Sequence, residues 1–138
     1  MSEFIFVYGT LLSKLRLNPF LEGATMIGTG LVRAHLYNLG DYPGMIDSPA
    51  GDLSKVTGEV YAVSLPLLLQ LDELEEVVPD NDAASLYLRR RIALVQPAAG
   101  LPDEVWCYLF NRSVKGFTRI TSGDYKAYLS AKAASEQG

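Results

Sequence analysis

The chain has 138 residues, 49% of them hydrophobic and 10% aromatic, with a formal net charge of −4. That length holds one substantial core and leaves no room for two ordinary domains, so residues 1–138 read as a single domain. The acidic balance argues against a nucleic-acid partner, which needs a basic face to release counterions. No signal-peptide pattern opens the chain and no apolar run approaches the roughly 20 residues that span a bilayer, so a soluble cytoplasmic protein with no membrane partner is expected.

The first element is the apolar run Phe4-Ile5-Phe6-Val7-Tyr8, a strand over about 3–8. Apolar residues occupy both of its faces, which predicts a central strand covered on both sides. It breaks into Gly9-Thr10-Leu11, where a glycine lets backbone N–H groups turn toward a ligand. Gly28 and Gly30 then read as a turn before a strand at 29–38, which carries the lone histidine, His35. With no second histidine, His35 is expected to be a surface or satisfied core residue rather than a metal ligand.

Tyr42-Pro43-Gly44 and Ser48-Pro49-Ala50-Gly51-Asp52 are turn signals, with a short strand between them near 43–47 and a longer one at 55–63. Ser64 is a helix N-cap and Pro66 suits a first turn, so a leucine-rich helix runs to about Glu75, apolar around most of its circumference. Residues 77–85 form an exposed loop beside Glu75. Strands follow at 86–95 and 104–110. Arg89, Arg90 and Arg91 alternate between faces and form no single basic patch, and Cys107 reads as a buried inert thiol. A second helix begins after Thr121-Ser122-Gly123 and carries Tyr125, Tyr128, Leu129 and Lys132 before a polar tail at 135–138. Short strands outnumber helices, which predicts an α+β fold with a curved mixed sheet or small barrel.

A loop that can hold an anion, Tyr8-Gly9-Thr10-Leu11, and a carboxylate ending a helix, Glu75, together make a workable acid/base site. Glu75 stands near a helix C-terminus and is partly buried on this reading. Both conditions disfavour its charge and raise its pKa. Asp72, Glu73 and Glu76 read as surface charges, with Glu73 the first alternative base. Arg89 is expected to pair with a carboxylate; Trp106, Tyr108 and Phe110 read as strand core. No serine or cysteine has a histidine to activate it, and no phosphate-binding glycine motif is present.

Several segments, in order along nearly the whole chain, resemble the γ-glutamylcyclotransferase-like (AIG2-like) family: Val7-Tyr8-Gly9-Thr10-Leu11, Tyr42-Pro43-Gly44-Met45, Val56-Thr57-Gly58-Glu59-Val60-Tyr61, Leu71-Asp72-Glu73-Leu74-Glu75, Tyr87-Leu88-Arg89, Val105-Trp106-Cys107-Tyr108 and Ile120-Thr121-Ser122-Gly123-Asp124-Tyr125. The resemblance implies a small mixed β-barrel of about five to six strands flanked by helices. It also implies release of 5-oxoproline and a free amine from a γ-glutamyl-amine compound, with no metal or cofactor. Carried onto this chain, Glu75 is the general acid/base, Tyr8, Gly9, Thr10 and Leu11 hold the glutamyl head, and Tyr87 lines the pocket.

Two departures stand out. The family's usual glycine after the glutamate is Glu76 here, and the stretch from Glu75 to Tyr87 is longer than in compact members. They motivate an alternative, a non-catalytic domain that binds a γ-glutamyl or amino-acid-like ligand. The leaving amine is not specified by the sequence, although residues 12–20 and 77–85 are expected to select it. No heptad or apolar stripe indicates an oligomer, and a monomer fits.

Overall fold

The computed structural model describes residues 3–137. Met1, Ser2 and Gly138, included in the expected domain span, lie outside the described residues. The elements are β1 (Glu3–Val7), β2 (Thr25–Asn38), β3 (Pro43–Asp47), β4 (Lys55–Val63), α1 (Leu65–Leu74), β5 (Tyr87–Ala93), β6 (Glu104–Phe110), β7 (Thr118–Arg119) and α2 (Tyr125–Gln137). Six strands line up as β3-β2-β4-β1-β6-β5, and β7 pairs with the end of β2. The result is a mixed half-barrel flanked by two helices, the architecture the sequence implied.

β1 is central, as its two-sided apolar pattern requires. It runs antiparallel to β4, with Phe6 opposite Val60 and Val7 opposite Glu59, and parallel to β6 through Ile5 and Trp106. Ile5 and Phe6 are fully buried. β2 is long enough to serve two partners, pairing with β4 over 25–33 and with β3 over 34–38. It begins four residues earlier than its expected start. Gly28 and Gly30 form no turn; Gly28 follows a register shift, and a Cβ on Gly30 would lie 3.0 Å from Leu94 Cδ2. Close approach of neighbouring side chains, rather than chain reversal, accounts for glycine at position 30.

Ser64 caps α1 by accepting from the Leu67 N–H (3.2 Å). Leu68 and Leu71 are buried, whereas Leu65 and Leu69 are each 52% exposed. The helix is thus apolar on both sides but pressed into the core along one. Asp124 accepts from Ala127 N–H (3.0 Å) at the start of α2, which continues through Ser135 into the expected tail. β7, only two residues long, is too short for any alternation to reveal. His35 is buried and satisfied by Asp52 at 2.9 Å, and burial pushes the Cys107 thiol up to about 12. No helix among the described residues is long and apolar enough to cross a membrane.

Candidate active site

Beyond β1 the chain turns back on itself through Leu12 N–H to Gly9 carbonyl (2.9 Å), Leu15 N–H to Leu12 carbonyl (3.0 Å) and Leu17 N–H to Thr10 carbonyl (3.0 Å). These bonds use the carbonyls of Gly9 and Thr10. Among the described residues, no acceptor meets the N–H groups of Gly9, Thr10 or Leu11. Gly9 does not adopt a left-handed conformation. Its glycine is required because a Cβ there would lie 2.5 Å from Pro43 Cγ and 2.9 Å from Pro43 Cδ. The loop is therefore flush against the start of β3.

Glu75 is held at the end of α1 by a Schellman motif. Its own N–H reaches Leu71 carbonyl (2.9 Å), Glu76 N–H reaches Glu73 carbonyl (3.1 Å) and Val77 N–H reaches Asp72 carbonyl (2.9 Å). That motif needs a left-handed residue just past the cap, and Glu76 takes it with φ 56°. A glycine would occupy this conformation without penalty, and an L side chain there costs on the order of 1 kcal/mol.

A cavity of about 270 Å³ brings the two elements together. Tyr8, Gly9, Thr10, Leu11, Glu75 and Tyr87 all line it, so every residue implicated from the sequence faces one space. Glu76 also lines it, as do Tyr42, Pro43 and Tyr108, which were not assigned to the site beforehand. Of the stretches expected to select a leaving amine, 12–20 contributes Arg16 and Leu17, whereas 77–85 contributes nothing. Residues 77–85 fold instead around the buried Ser85, whose hydroxyl accepts from Val78 N–H (2.8 Å) and donates to Asn81 carbonyl (3.0 Å).

Burial, followed by the neighbouring charge of Glu76, raises the Glu75 carboxyl to about 7. No hydrogen-bond donor among the described residues offsets this, which leaves a carboxyl able to take or give a proton near neutrality. The surrounding tyrosines are fixed. Tyr8 Oη donates to Tyr108 carbonyl (2.6 Å), Tyr87 Oη to Pro43 carbonyl (2.8 Å) and Tyr108 Oη to Asp72 Oδ1 (2.7 Å). Burial pushes all three phenols up, so each hydroxyl proton stays committed to the wall.

Asp72 is not the surface charge expected. Its side chain is 14% exposed and also receives Arg89 Nε at 2.8 Å, so the expected Arg89 partner is one turn before Glu75 and fastens α1 to the sheet. Trp106 likewise lies on the flank rather than in the core, with Arg89 and Arg91 over its ring at 4.4 and 4.7 Å. Arg90 points to the opposite side and pairs with Asp82.

Glu76 gives a prediction of its own. Glu76→Gly should relieve the left-handed strain and stabilise the fold by about 1 kcal/mol. By removing a charge that holds the Glu75 pKa up, it should also move the acidic limb of any Glu75-dependent pH profile to lower pH. Urea melts and a pH–rate profile against the parent protein check both.

These features define a small α+β protein with a cavity sized for a small molecule and lined by a carboxyl raised to about 7. A family model described as γ-glutamyl cyclotransferase, AIG2-like, matches residues 5–127, and the chain belongs to that family. It is 32% identical over 122 residues to the γ-glutamylcyclotransferase family protein YtfP of Escherichia coli K12, covering 88% of this chain and 94% of that one. A protein of Niallia circulans described as a γ-L-glutamyl-butirosin B γ-glutamyl cyclotransferase is 31% identical over 126 residues, covering 90% of this chain and 76% of the relative. The crystal structure of protein PH0828 from Pyrococcus horikoshii shares the fold, with a TM-score of 0.72, 20% identity, and coverage of 96% of this chain and 98% of that one. Membership supports γ-glutamylcyclotransferase-like enzymatic activity in general, with a small γ-glutamyl-type molecule as partner.

Proposed function

We propose that the protein releases 5-oxoproline and a free amine from a γ-glutamyl amine, with Glu75 as the proton shuttle. One observation carries the reading: the Glu75 carboxyl, raised to about 7, shares a cavity with the amides of Gly9, Thr10 and Leu11, and none of these groups meets a hydrogen-bond partner among the described residues.

The substrate supplies its own nucleophile. Its α-amine attacks the γ-carbonyl carbon, a five-membered lactam closes, and the amide C–N bond breaks. The amine attacks in its neutral form, having given up its ammonium proton to solvent, and its nitrogen sheds a second proton to Glu75 as the ring C–N bond forms. The same proton then goes to the departing nitrogen, which leaves as the free amine and returns Glu75 to its carboxylate form. The amides of Gly9–Leu11 hold an anion during this sequence, either the substrate α-carboxylate or the tetrahedral oxyanion. The fixed tyrosines offer ring surface and acceptor oxygens, which suit the glutamyl methylenes and the amine. Confining the folded substrate in a small cavity supplies the proximity that ring closure needs. The leaving amine extends toward the more exposed lining residues Arg16 and Glu76.

The test is mass-spectrometric detection of 5-oxoproline from a panel of γ-glutamyl amines: glutathione, γ-glutamyl amino acids, γ-glutamyl-ε-lysine and a γ-glutamylated aminoglycoside of the butirosin type. Release from at least one member is expected, and the preferred amine identifies the substrate. Tight binding of panel members with no release from any would overturn the enzymatic reading in favour of a binding domain.

A further inference from the structure

Behind the ligand-facing loop, on the side away from the cavity, lies a second carboxylate that the reaction does not use. Glu59 sits in β4 opposite Val7, in an otherwise apolar stretch, and its side chain is 8% exposed. Both of its oxygens are engaged. Oε1 accepts from Ser13 N–H (2.7 Å) and Tyr61 Oη (3.1 Å); Oε2 accepts from Ser13 Oγ (2.7 Å) and Lys126 Nζ (3.2 Å). Burial alone would raise its pKa, but the bonds from Ser13, Lys126 and Tyr61 outweigh it and hold the carboxyl below its usual range.

A serine touching a lysine invites comparison with a nucleophilic dyad, and the bonds rule that out. Lys126 Nζ donates to both Ser13 Oγ (2.8 Å) and Glu59, while the Ser13 hydroxyl proton goes to Glu59. The cluster is a clamp. It grips Ser13, two residues past Leu11, and its Tyr61 also meets Asn18 Nδ2 (3.2 Å), which in turn donates to Leu11 carbonyl (2.8 Å). The outer side of the loop is thus tied at Leu11 and Ser13, while the amides of Gly9, Thr10 and Leu11 belong to residues lining the cavity.

We propose that Glu59, completed by Lys126 from α2, is a positioning residue that holds the turn Gly9–Leu11 in the geometry its amides need to bind the substrate's anionic group. Glu59 acts on the substrate only through Ser13 and the loop. The proposal rests on the γ-glutamyl reading of the cavity, but part of its test does not.

The experiment compares Glu59→Gln, Ser13→Ala and Lys126→Met with the parent protein, by amide hydrogen exchange and by steady-state kinetics on the best γ-glutamyl substrate. In Glu59→Gln the side-chain carbonyl can still accept from the Ser13 amide, but the new amide nitrogen cannot accept from the hydroxyl and ammonium at the other end. Exchange at the bonded loop amides of Leu12, Ser13 and Leu17 is expected to speed up tenfold or more in Glu59→Gln, relative to amides of β5 in the same sample. The kcat/KM is expected to fall at least tenfold. A rise in KM would mean the amides hold the substrate carboxylate, and a fall in kcat that they hold the oxyanion. Ser13→Ala and Lys126→Met should each give a smaller loss, non-additive when combined, and they carry the test if Glu59→Gln does not fold. A lower melting temperature with relative loop exchange and kcat/KM both within twofold of the parent would overturn the proposal. If no substrate is turned over by the parent protein, the γ-glutamyl reading fails while loop exchange still decides whether Glu59 positions the loop.

Discussion

Glu75→Gln is expected to abolish 5-oxoproline release and, at the same time, to make the protein more stable above pH 7. Removal of a positioned general acid/base typically costs about 10²- to 10⁴-fold in rate. In the proposed mechanism one group serves both proton transfers, so the loss should lie at the upper end. The stability gain follows from linkage. The Glu75 pKa is raised from 4.5 to about 7 in the folded protein, so between these values the folded chain holds a proton that the unfolded chain has lost. Stability therefore falls as pH rises through that window; below it both states are protonated and the difference vanishes. At about 1.36 kcal/mol per pKa unit the cost above pH 7 is at most about 3 kcal/mol, reduced by whatever water enters the cavity. Glutamine keeps the shape and never ionises. Thermal melts at pH 4 and pH 8 should coincide with the parent at the first and exceed it at the second. Retained turnover, or equal melting at pH 8, would remove the basis for the proton shuttle.

Gly9→Ala should be the most damaging single-methyl change in the loop. The new Cβ would meet the Pro43 ring at 2.5 Å, and a proline ring has no freedom to swing away. Overpacking of this kind costs about 1–3 kcal/mol of stability. Displacing the adjacent amides should cost on the order of 100-fold in kcat/KM, the usual effect of losing one well-placed donor. Pro43→Ala in the Gly9→Ala background should restore part of both losses, since it removes the colliding ring but leaves the carbonyl that receives Tyr87. Denaturant melts and kinetics on the four proteins of this cycle give the coupling directly; additive losses would mean that the Pro43 contact is not what requires glycine.

The fold was readable from the sequence wherever periodicity is strong. β4 and β6 fall at their expected bounds because the β-branched and aromatic residues Val56, Thr57, Val60, Tyr61 and Val63 mark the first and Val105, Trp106, Tyr108 and Phe110 the second. The start of β2 was hidden because Gly28 and Gly30 carry the composition of a turn, and only the three-dimensional approach of Leu94 explains one of them as strand interior. Five of the six candidate site residues were reachable because glycine after a strand and a carboxylate ending a helix are local signals, whereas Tyr87 came only from the family resemblance. Tyr42 and Tyr108 were not reachable, since they join the cavity only through closure of the sheet, whereas Arg16 falls in the stretch 12–20 expected to select the leaving amine. Asp72 and Arg89 lie 17 residues apart, and nothing in the local sequence of either separates a buried pair from two solvated charges. Glu59 did leave a sign: a lone carboxylate at a core-facing position of an apolar strand has to be satisfied by something.

The parallel pairing of β1 with β6 also bears on how the chain must be made. The strand at the centre of the sheet is synthesised before the other strands, and its partner along one edge does not exist until Glu104–Phe110 has followed. The cavity wall runs from Phe6 to Tyr108, and the Tyr8 hydroxyl that closes it bonds a carbonyl 100 residues away. Contacts this distant are slow to form and leave apolar strand edges exposed while they wait. An N-terminal fragment that stops short of β6 has most of the core but lacks the Tyr108 side of the cavity wall, so the cavity is complete only once β6 has paired with β1.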